Sequence, residues 1–118
     1  MTSEPVGPYT PIVRAGDWLV VSGQLGLAEG DLVRGGVRAE LRQALANVRA
    51  LLESEGASLA DVVKTTVFLR HIDDYAAMNE VYVEGFGDNR PARAAVAVAA
   101  LPLGAFVEVE AWAFVGGR

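Results

Sequence analysis

The chain contains no cysteine, one histidine and one lysine among ten basic residues. Disulfides, thiolate catalysis and cysteine-ligated metals are therefore excluded, and a transition-metal site is not expected. The net charge is −5, with no block of like charge, which argues against a nucleic-acid partner. No uninterrupted apolar run reaches membrane-spanning length, and the first residues lack the basic and apolar regions of a secretory signal. We expect a cytoplasmic protein without a membrane segment.

The composition is that of an ordinary globular protein. Hydrophobic residues make up 52% of the 118 residues and charged residues 21%. This length is enough for one compact core and too short for two. Residues 1–118 are therefore predicted to form a single domain.

Hydrophobic periodicity predicts an α+β fold with the order ββαβαββ. Both helices have one apolar face, so they are expected to cover one side of a single sheet. Gly56 is expected to end the first helix, and Asp73 or Asp74 to cap the second. The predicted strands cover residues 9–13, 18–23, 61–69, 91–98 and 105–115, the helices 37–55 and 73–86, and a loop 24–36.

Arg93 is the most unusual residue, because it lies at the start of a predicted buried strand, Pro91-Ala-Arg-Ala-Ala-Val-Ala-Val98. An unpaired charge taken out of water costs several kcal/mol. Two interpretations remain open. The guanidinium extends to solvent from the strand end, or it is held in a dry cleft to bind a carboxylate in two-point contact.

The last strand separates two kinds of side chain by alternation. Val107, Val109, Ala111 and Ala113 form an apolar set suited to the helix-covered face, whereas Glu108, Glu110 and Trp112 form the other face. Neighbouring strands add mostly apolar residues to that second face. With no helix left to cover it, we expect it to be buried against another subunit.

Four further polar residues have two interpretations each. Asn79 shares a helical stripe with aromatic residues and either bonds to a loop or belongs to a pocket. Tyr9, beside Pro8, either packs or lines the same pocket. His71 lies in a charged turn and is expected to be solvated, and Lys64 is expected to form a surface pair rather than a Schiff base.

Seven short motifs in this order resemble the RidA family, also called YjgF/YER057c/UK114. They extend from about residue 5 to 115, and their ordered combination is more specific than any one of them. They are Gly7-Pro-Tyr-Thr10, Ser22-Gly-Gln24, Val63-Lys-Thr-Thr-Val-Phe-Leu69, Asn79 with Tyr82 and Phe86, Pro91-Ala-Arg93, Leu101-Pro102 and Val107-Glu-Val-Glu-Ala111.

The resemblance implies a chorismate-mutase-like subunit in a homotrimer with sites at subunit junctions. It also implies an enamine/imine deaminase that hydrolyses 2-aminoacrylate and related 2-imino acids to 2-keto acids and ammonia. Carried over, Arg93 is similar to the carboxylate-binding arginine and Glu108 to the acidic residue that handles the attacking water. Tyr9, Ser22 and Asn79 match further pocket positions. The chain departs from the family pattern at Thr10 and Pro11, and at Ala95, where a cysteine is frequent.

This chemistry requires no cofactor. Arg93 would fix the carboxylate and Glu108, expected one strand away and facing the same cleft, would exchange protons with water and the departing nitrogen. The main alternative is a protein that binds 2-keto acids or other small carboxylates without turnover. A ribonuclease activity is disfavoured by the acidic charge and the single histidine. Chorismate-mutase activity would rest on fold kinship alone.

Overall fold

The computed structural model describes Pro5 and residues 7–117. Its main sheet has five strands in the order β1-β2-β7-β5-β6, with β5 and β6 parallel and the other pairs antiparallel. The predicted α+β class and ββαβαββ order of the main elements are confirmed. In chain order, the elements are β1 Ile12–Ala15, β2 Trp18–Gln24, β3 Leu27–Ala28, β4 Asp31–Leu32, α1 Gly36–Ser54, β5 Val62–Leu69, α2 Tyr75–Phe86, β6 Ala92–Ala97 and β7 Val107–Phe114.

The first hairpin begins later than predicted. Pro11 has no N–H to donate to the sheet, and β1 begins directly after it at Ile12, which pairs with Val21. The hairpin closes at Ala15 opposite Trp18, through Gly16, whose φ of +60° favours glycine. The prediction of a hairpin is confirmed, but its first strand is shifted towards the C-terminus.

The loop predicted for residues 24–36 is partly wrong. It contains a small second sheet in which Leu27 pairs with Leu32 and Ala28 with Asp31. Glu29 and Gly30, with φ of +54° and +88°, form the connection. Two-residue strands are too short to give an alternating pattern, so periodicity could not reveal them.

The two helices begin and end close to the predicted positions. Gly56, with φ of +77°, follows the end of α1 as expected. The predicted capping of the second helix is wrong. A short 3₁₀ turn, Ile72–Asp74, leads into α2, and the side chain of Asp74 accepts no capping hydrogen bond.

The core lies between the helices and one face of the sheet. Val107, Val109, Ala111 and Ala113 of β7 are fully buried there, as predicted. Leu41 and Val48 of α1 and Met78 of α2 are also fully buried among the residues that pack against the sheet. At roughly 25 cal/mol per Å² of apolar surface, burial of each large side chain contributes about 2 kcal/mol.

The opposite face, which we call the open face, has no helix of this chain against it. Trp18 lies edge-on to Trp112 and Phe114, at centroid distances of 6.1 and 5.1 Å. All three rings are exposed. β6 forms an edge of the sheet and its outward residues Ala94 and Val96 are exposed, so the prediction of a buried strand around Arg93 is wrong. Among the described residues, no helix is long and apolar enough to span a membrane.

Candidate active site

Arg93 points from β6 towards α2, on the helix-covered side of the sheet. Its Nη1 donates to Asn79 Oδ1 at 2.8 Å, and its Nη2 donates to the Tyr75 hydroxyl at 3.0 Å. The guanidinium carbon lies 4.8 Å from the centre of the Tyr82 ring and 5.6 Å from that of Tyr75. Cation–π contact and charge-assisted hydrogen bonds thus hold the head group in one orientation.

The local fold explains why these side chains meet. The parallel pair β5–β6 requires a crossover, and α2 supplies it, so that this helix lies against β6. Residues 75, 79 and 82 follow the four- and three-residue spacing of one helical face. Thr65, which pairs with Arg93 across the strands, shares a 2.7 Å hydroxyl hydrogen bond with Tyr82. Burial raises the pKa of the Tyr82 phenol, so it remains neutral beside the arginine.

Arg93 retains hydrogen-bonding capacity after these contacts. A guanidinium carries five N–H groups. One is used by Asn79, one by Tyr75, and a third points towards Met78 Sδ at 3.6 Å. Among the described residues, Nε and the second N–H of Nη2 have no hydrogen-bond partner. Arg93 is therefore fixed by its neighbours and half-buried, yet able to receive an anion, which favours the binding interpretation over simple extension to solvent.

Glu108 lies on the open face of β7, opposite Phe68 of β5. Its carboxylate packs on Gly23, where an added Cβ would collide with Oε2. Burial raises the pKa of Glu108, and the negative charge of Glu110 raises it further. No donor among the described residues hydrogen-bonds to this carboxylate. It is thus a proton acceptor without a local cation, with a pKa moved towards neutrality.

Ser22 joins the N-terminal segment to β2 beside Glu108. Its hydroxyl donates to the Thr10 carbonyl at 2.6 Å, and its backbone N–H donates to Pro11 O at 2.8 Å. These bonds hold Tyr9, which is exposed, at the start of the ordered hairpin. Tyr9, Ser22 and Glu108 therefore belong to one region of the chain, around the β2–β7 pair.

The expectation that Glu108 faces the same cleft as Arg93, one strand away, is wrong within one chain. β5 lies between β6 and β7, so the two residues are two strands apart, about 10 Å at the usual strand spacing. They also point to opposite faces, because Arg93 pairs with buried Thr65 and Glu108 with Phe68. Alternation assigned Glu108 to the correct face, but it did not show that Arg93 points to the helix-covered face, and only strand order could relate the two strands.

The structure thus separates the predicted site residues into two groups. Arg93 and Asn79 form an arginine cluster at the β6–α2 edge, and Tyr9, Ser22 and Glu108 form a glutamate cluster around β2 and β7. Tyr75 belongs to the arginine cluster and was not predicted as a site residue. Its helical spacing from Asn79 and Tyr82 could have indicated that it lies on the same face of α2. Of the two interpretations of Asn79, the hydrogen bond that its oxygen accepts from Arg93 favours the pocket over a contact with a loop.

The remaining polar candidates lie outside both clusters. His71 is exposed, with its ring 6.1 Å from that of Phe106. Lys64 donates to Thr65 O and Thr66 Oγ1, and the ion pairs found among the described residues do not include it. The described residues contain no group of three or more His, Cys, Asp or Glu placed to hold a metal ion.

Taken together, these features define a small α+β protein with an arginine and a carboxylate on opposite faces of a mixed sheet. The sequence profile of the endoribonuclease L-PSP family matches residues 1–115. The chain belongs to this family, the RidA family that the motifs indicated.

Several well-aligned relatives support the assignment. A human 2-iminobutanoate/2-iminopropanoate deaminase is 45% identical over 113 residues, covering 94% of this chain and 82% of the human protein. A RutC family protein of Pyrococcus horikoshii is 44% identical, covering 94% and 90%. The crystal structure of RidA from an Antarctic Psychrobacter is 42% identical, with a TM-score of 0.90, covering 95% of this chain and 92% of that one.

Proposed function

We propose that the protein is a cofactor-independent enamine/imine deaminase that hydrolyses 2-aminoacrylate, 2-iminopropanoate and 2-iminobutanoate to 2-keto acids and ammonia. The observation that carries this proposal is the orientation of Arg93 by Asn79 and Tyr75, with N–H groups left for an anion. The human relative named for this activity supports the substrate class.

We further propose that each active site is shared between two copies in a homotrimer. A small imino acid cannot touch Arg93 and Glu108 of the same chain, because they lie on opposite faces and two strands apart. The open face carries exposed Trp18, Trp112 and Phe114, an apolar surface that a second copy would bury. Assembly would then bring the glutamate cluster of one copy to the arginine cluster of the next.

The reaction follows from these groups. Arg93 binds the carboxylate of the imino acid and fixes C2 relative to a water molecule. Glu108 takes one proton from the water as its oxygen bonds to C2 of the protonated imine, giving a neutral carbinolamine. Glu108 then returns this proton to nitrogen. As the C–N bond breaks, Glu108 accepts the hydroxyl proton and passes it to the departing ammonia, so that the 2-keto acid and an ammonium ion leave. A carboxyl group with a raised pKa suits these transfers.

Two other functions are less well supported. A protein that only binds 2-keto acids would need the arginine cluster alone, and it would show binding without turnover. The ribonuclease activity in the family's description would require contacts to RNA phosphates. The net charge of −5 and the exposed single histidine disfavour it.

The direct test generates 2-aminoacrylate and 2-iminobutanoate in situ and follows their decay with and without the protein. Mixing of variants then tests the shared site. Arg93→Ala and Glu108→Gln, each inactive alone, are unfolded and refolded together. A site is intact only where a Glu108→Gln subunit supplies Arg93 and an Arg93→Ala subunit supplies Glu108. Random assembly should therefore restore about a quarter of the parent rate. No restoration in mixed trimers would exclude the shared site, and imine decay that the parent protein does not accelerate would exclude the deaminase.

A further inference from the structure

The hydroxyl of Tyr75 stands beside the guanidinium of Arg93 at the first residue of α2. It accepts a hydrogen bond from Nη2 at 3.0 Å. A phenol has one hydrogen to donate and oxygen lone pairs to accept with. Because its oxygen faces a cationic donor, its own hydrogen points away from the guanidinium. None of the hydrogen bonds among the described residues uses that hydrogen.

The position of Tyr75 makes this hydrogen available to a ligand. The side chain is 43% exposed, whereas Tyr82, the other tyrosine against Arg93, is 3% exposed and its hydroxyl is bonded to Thr65. A hydroxyl that accepts from a cation is polarised and becomes a better donor. Arg93 and Tyr75 therefore present N–H and O–H donors from adjacent positions.

We propose that the Tyr75 hydroxyl is a second binding group for the substrate carboxylate, which it contacts together with Arg93. This inference rests on the proposed function for the identity of the ligand, a 2-imino or 2-keto acid. One carboxylate oxygen accepts from Arg93 and the other from Tyr75, or both groups bond to the same oxygen. Tyr75 thereby adds affinity and favours acids over neutral imines.

The test uses Tyr75→Phe, which keeps the ring beside Arg93 and removes only the hydroxyl. The dissociation constant for 2-ketobutanoate is measured by calorimetry on the assembled protein, and KM and kcat on 2-iminobutanoate. Loss of a hydrogen bond to a charged group should weaken binding about tenfold and raise KM similarly, with kcat changed much less. Tyr82→Phe is the comparison. It removes a hydroxyl bonded to Thr65, so it should lower the melting temperature more and weaken binding less.

A double-mutant cycle separates direct binding from orientation of Arg93. If the hydroxyl only holds the guanidinium, Tyr75→Phe has no effect in the Arg93→Lys background. If it donates to the carboxylate, binding weakens further there, by roughly threefold or more. No further loss would overturn the proposal, as would unchanged affinity in the single variant or undetectable binding by the parent.

The calorimetric measurement also keeps this inference separate from the proposed activity. A parent protein that binds 2-ketobutanoate but hydrolyses no imine would refute the deaminase, while the Tyr75→Phe result could still be interpreted. Hydrolysis with the same KM and affinity in Tyr75→Phe would refute only the role of Tyr75.

Discussion

The two faces of the sheet are formed by the same strands, but the helices of the described chain cover only one of them. On the covered face, Val107, Val109 and Ala111 of β7 are fully buried beneath the helices. On the open face, the intervening residues Glu108 and Glu110 are half-buried, and Trp112 is 43% exposed. The covered face accounts for folding of the single chain. The open face combines apolar rings with carboxylates, so we expect another copy to cover it.

The charged groups on the two faces also differ in the hydrogen-bond partners that their own chain supplies. Arg93 on the covered face is oriented by Asn79 and Tyr75 of its own chain. Glu108 on the open face has no hydrogen-bond donor among the described residues, and burial raises its pKa. Within the described residues, the chain therefore orients the guanidinium but leaves the carboxylate without a hydrogen-bond donor, which supports the proposal that another copy completes the site.

The largest effect on activity is expected at Arg93, whose guanidinium is oriented by side chains of its own chain. Arg93→Ala should abolish measurable imine hydrolysis and 2-keto acid binding, because no other cation stands in the arginine cluster. Arg93→Lys should be nearly as poor in turnover, since an ammonium cannot replace two fixed N–H donors, but its charge should retain weak binding of 2-keto acids. Turnover of imino acids made in situ measures the effect, and circular dichroism checks the fold. Parent rates in Arg93→Ala on every imino acid tested would make the arginine structural.

Glu108→Gln should lower turnover by roughly a hundredfold, the usual cost of losing a general base, while ligand binding is kept. Gln preserves the size of the side chain against Gly23 but cannot accept a proton from water. Steady-state rates on 2-iminobutanoate and calorimetry with 2-ketobutanoate separate the two effects. If the variant hydrolyses at the parent rate, Glu108 is not the base.

Glu110→Gln is the matched control for Glu108, two residues along the same face. It should retain most of the activity, and it should move the acid limb of the pH–rate profile to lower pH. The sign follows from the charge of Glu110, which raises the pKa of Glu108, so its removal lowers that pKa. Glu108 must be deprotonated to act as a base, and it then stays deprotonated at lower pH. If the acid limb does not move, it reflects the titration of a group other than Glu108.

Much of this arrangement could be predicted from local patterns. The face of each residue in β7 follows from alternation, and the stripe containing Asn79 and Tyr82 follows from helical spacing. Strand order does not follow from either. Nothing in the sequence near Arg93 or Glu108 shows that β5 lies between their strands, or that the helices cover the face of β6 to which Arg93 points.

Other differences have equally specific causes. β6 resembles a buried strand because alanine and valine suit one, but these small residues stand at an exposed edge. In the sequence, Gly23 is only part of a short motif. The structure shows that the Glu108 carboxylate packs against it. Contacts between residues distant in sequence are therefore what local patterns failed to predict.

The open face can be tested by placing a charge on it. Trp112→Glu adds a carboxylate to the surface that we expect another copy to cover, so the mass measured by light scattering should fall from about three subunits to one. Imine hydrolysis should be lost with the shared site. Val83→Glu, at a similarly exposed valine on α2, is the control and should leave the mass unchanged. A trimeric, active Trp112→Glu would show that the subunits meet elsewhere.

The smallest effect is expected at Glu40, a carboxylate that the covered side buries completely within the chain. It is 4% exposed in α1, and its Oε1 accepts from the Phe106 N–H at 2.8 Å. Burial raises its pKa, and this outweighs the lowering by the backbone N–H groups of Phe106 and Val107 and by the charge of Arg70. A raised folded-state pKa means that the folded protein binds the proton more tightly than the unfolded chain does. The stabilisation from this proton is complete below the unfolded value near 4.5 and is lost as pH rises through the folded value.

Glu40→Gln keeps an acceptor for Phe106 and removes this titration. Between about pH 4 and 8, the melting temperature of the variant should therefore fall less with rising pH than that of the parent. Turnover at neutral pH should follow the parent, because the hydrogen bond of the Glu40 side chain is to the Phe106 backbone and not to a residue of either cluster. Parallel melting profiles would mean that the backbone hydrogen bonds and the charge of Arg70 offset burial at Glu40, so that its pKa is the same in the folded and unfolded chains.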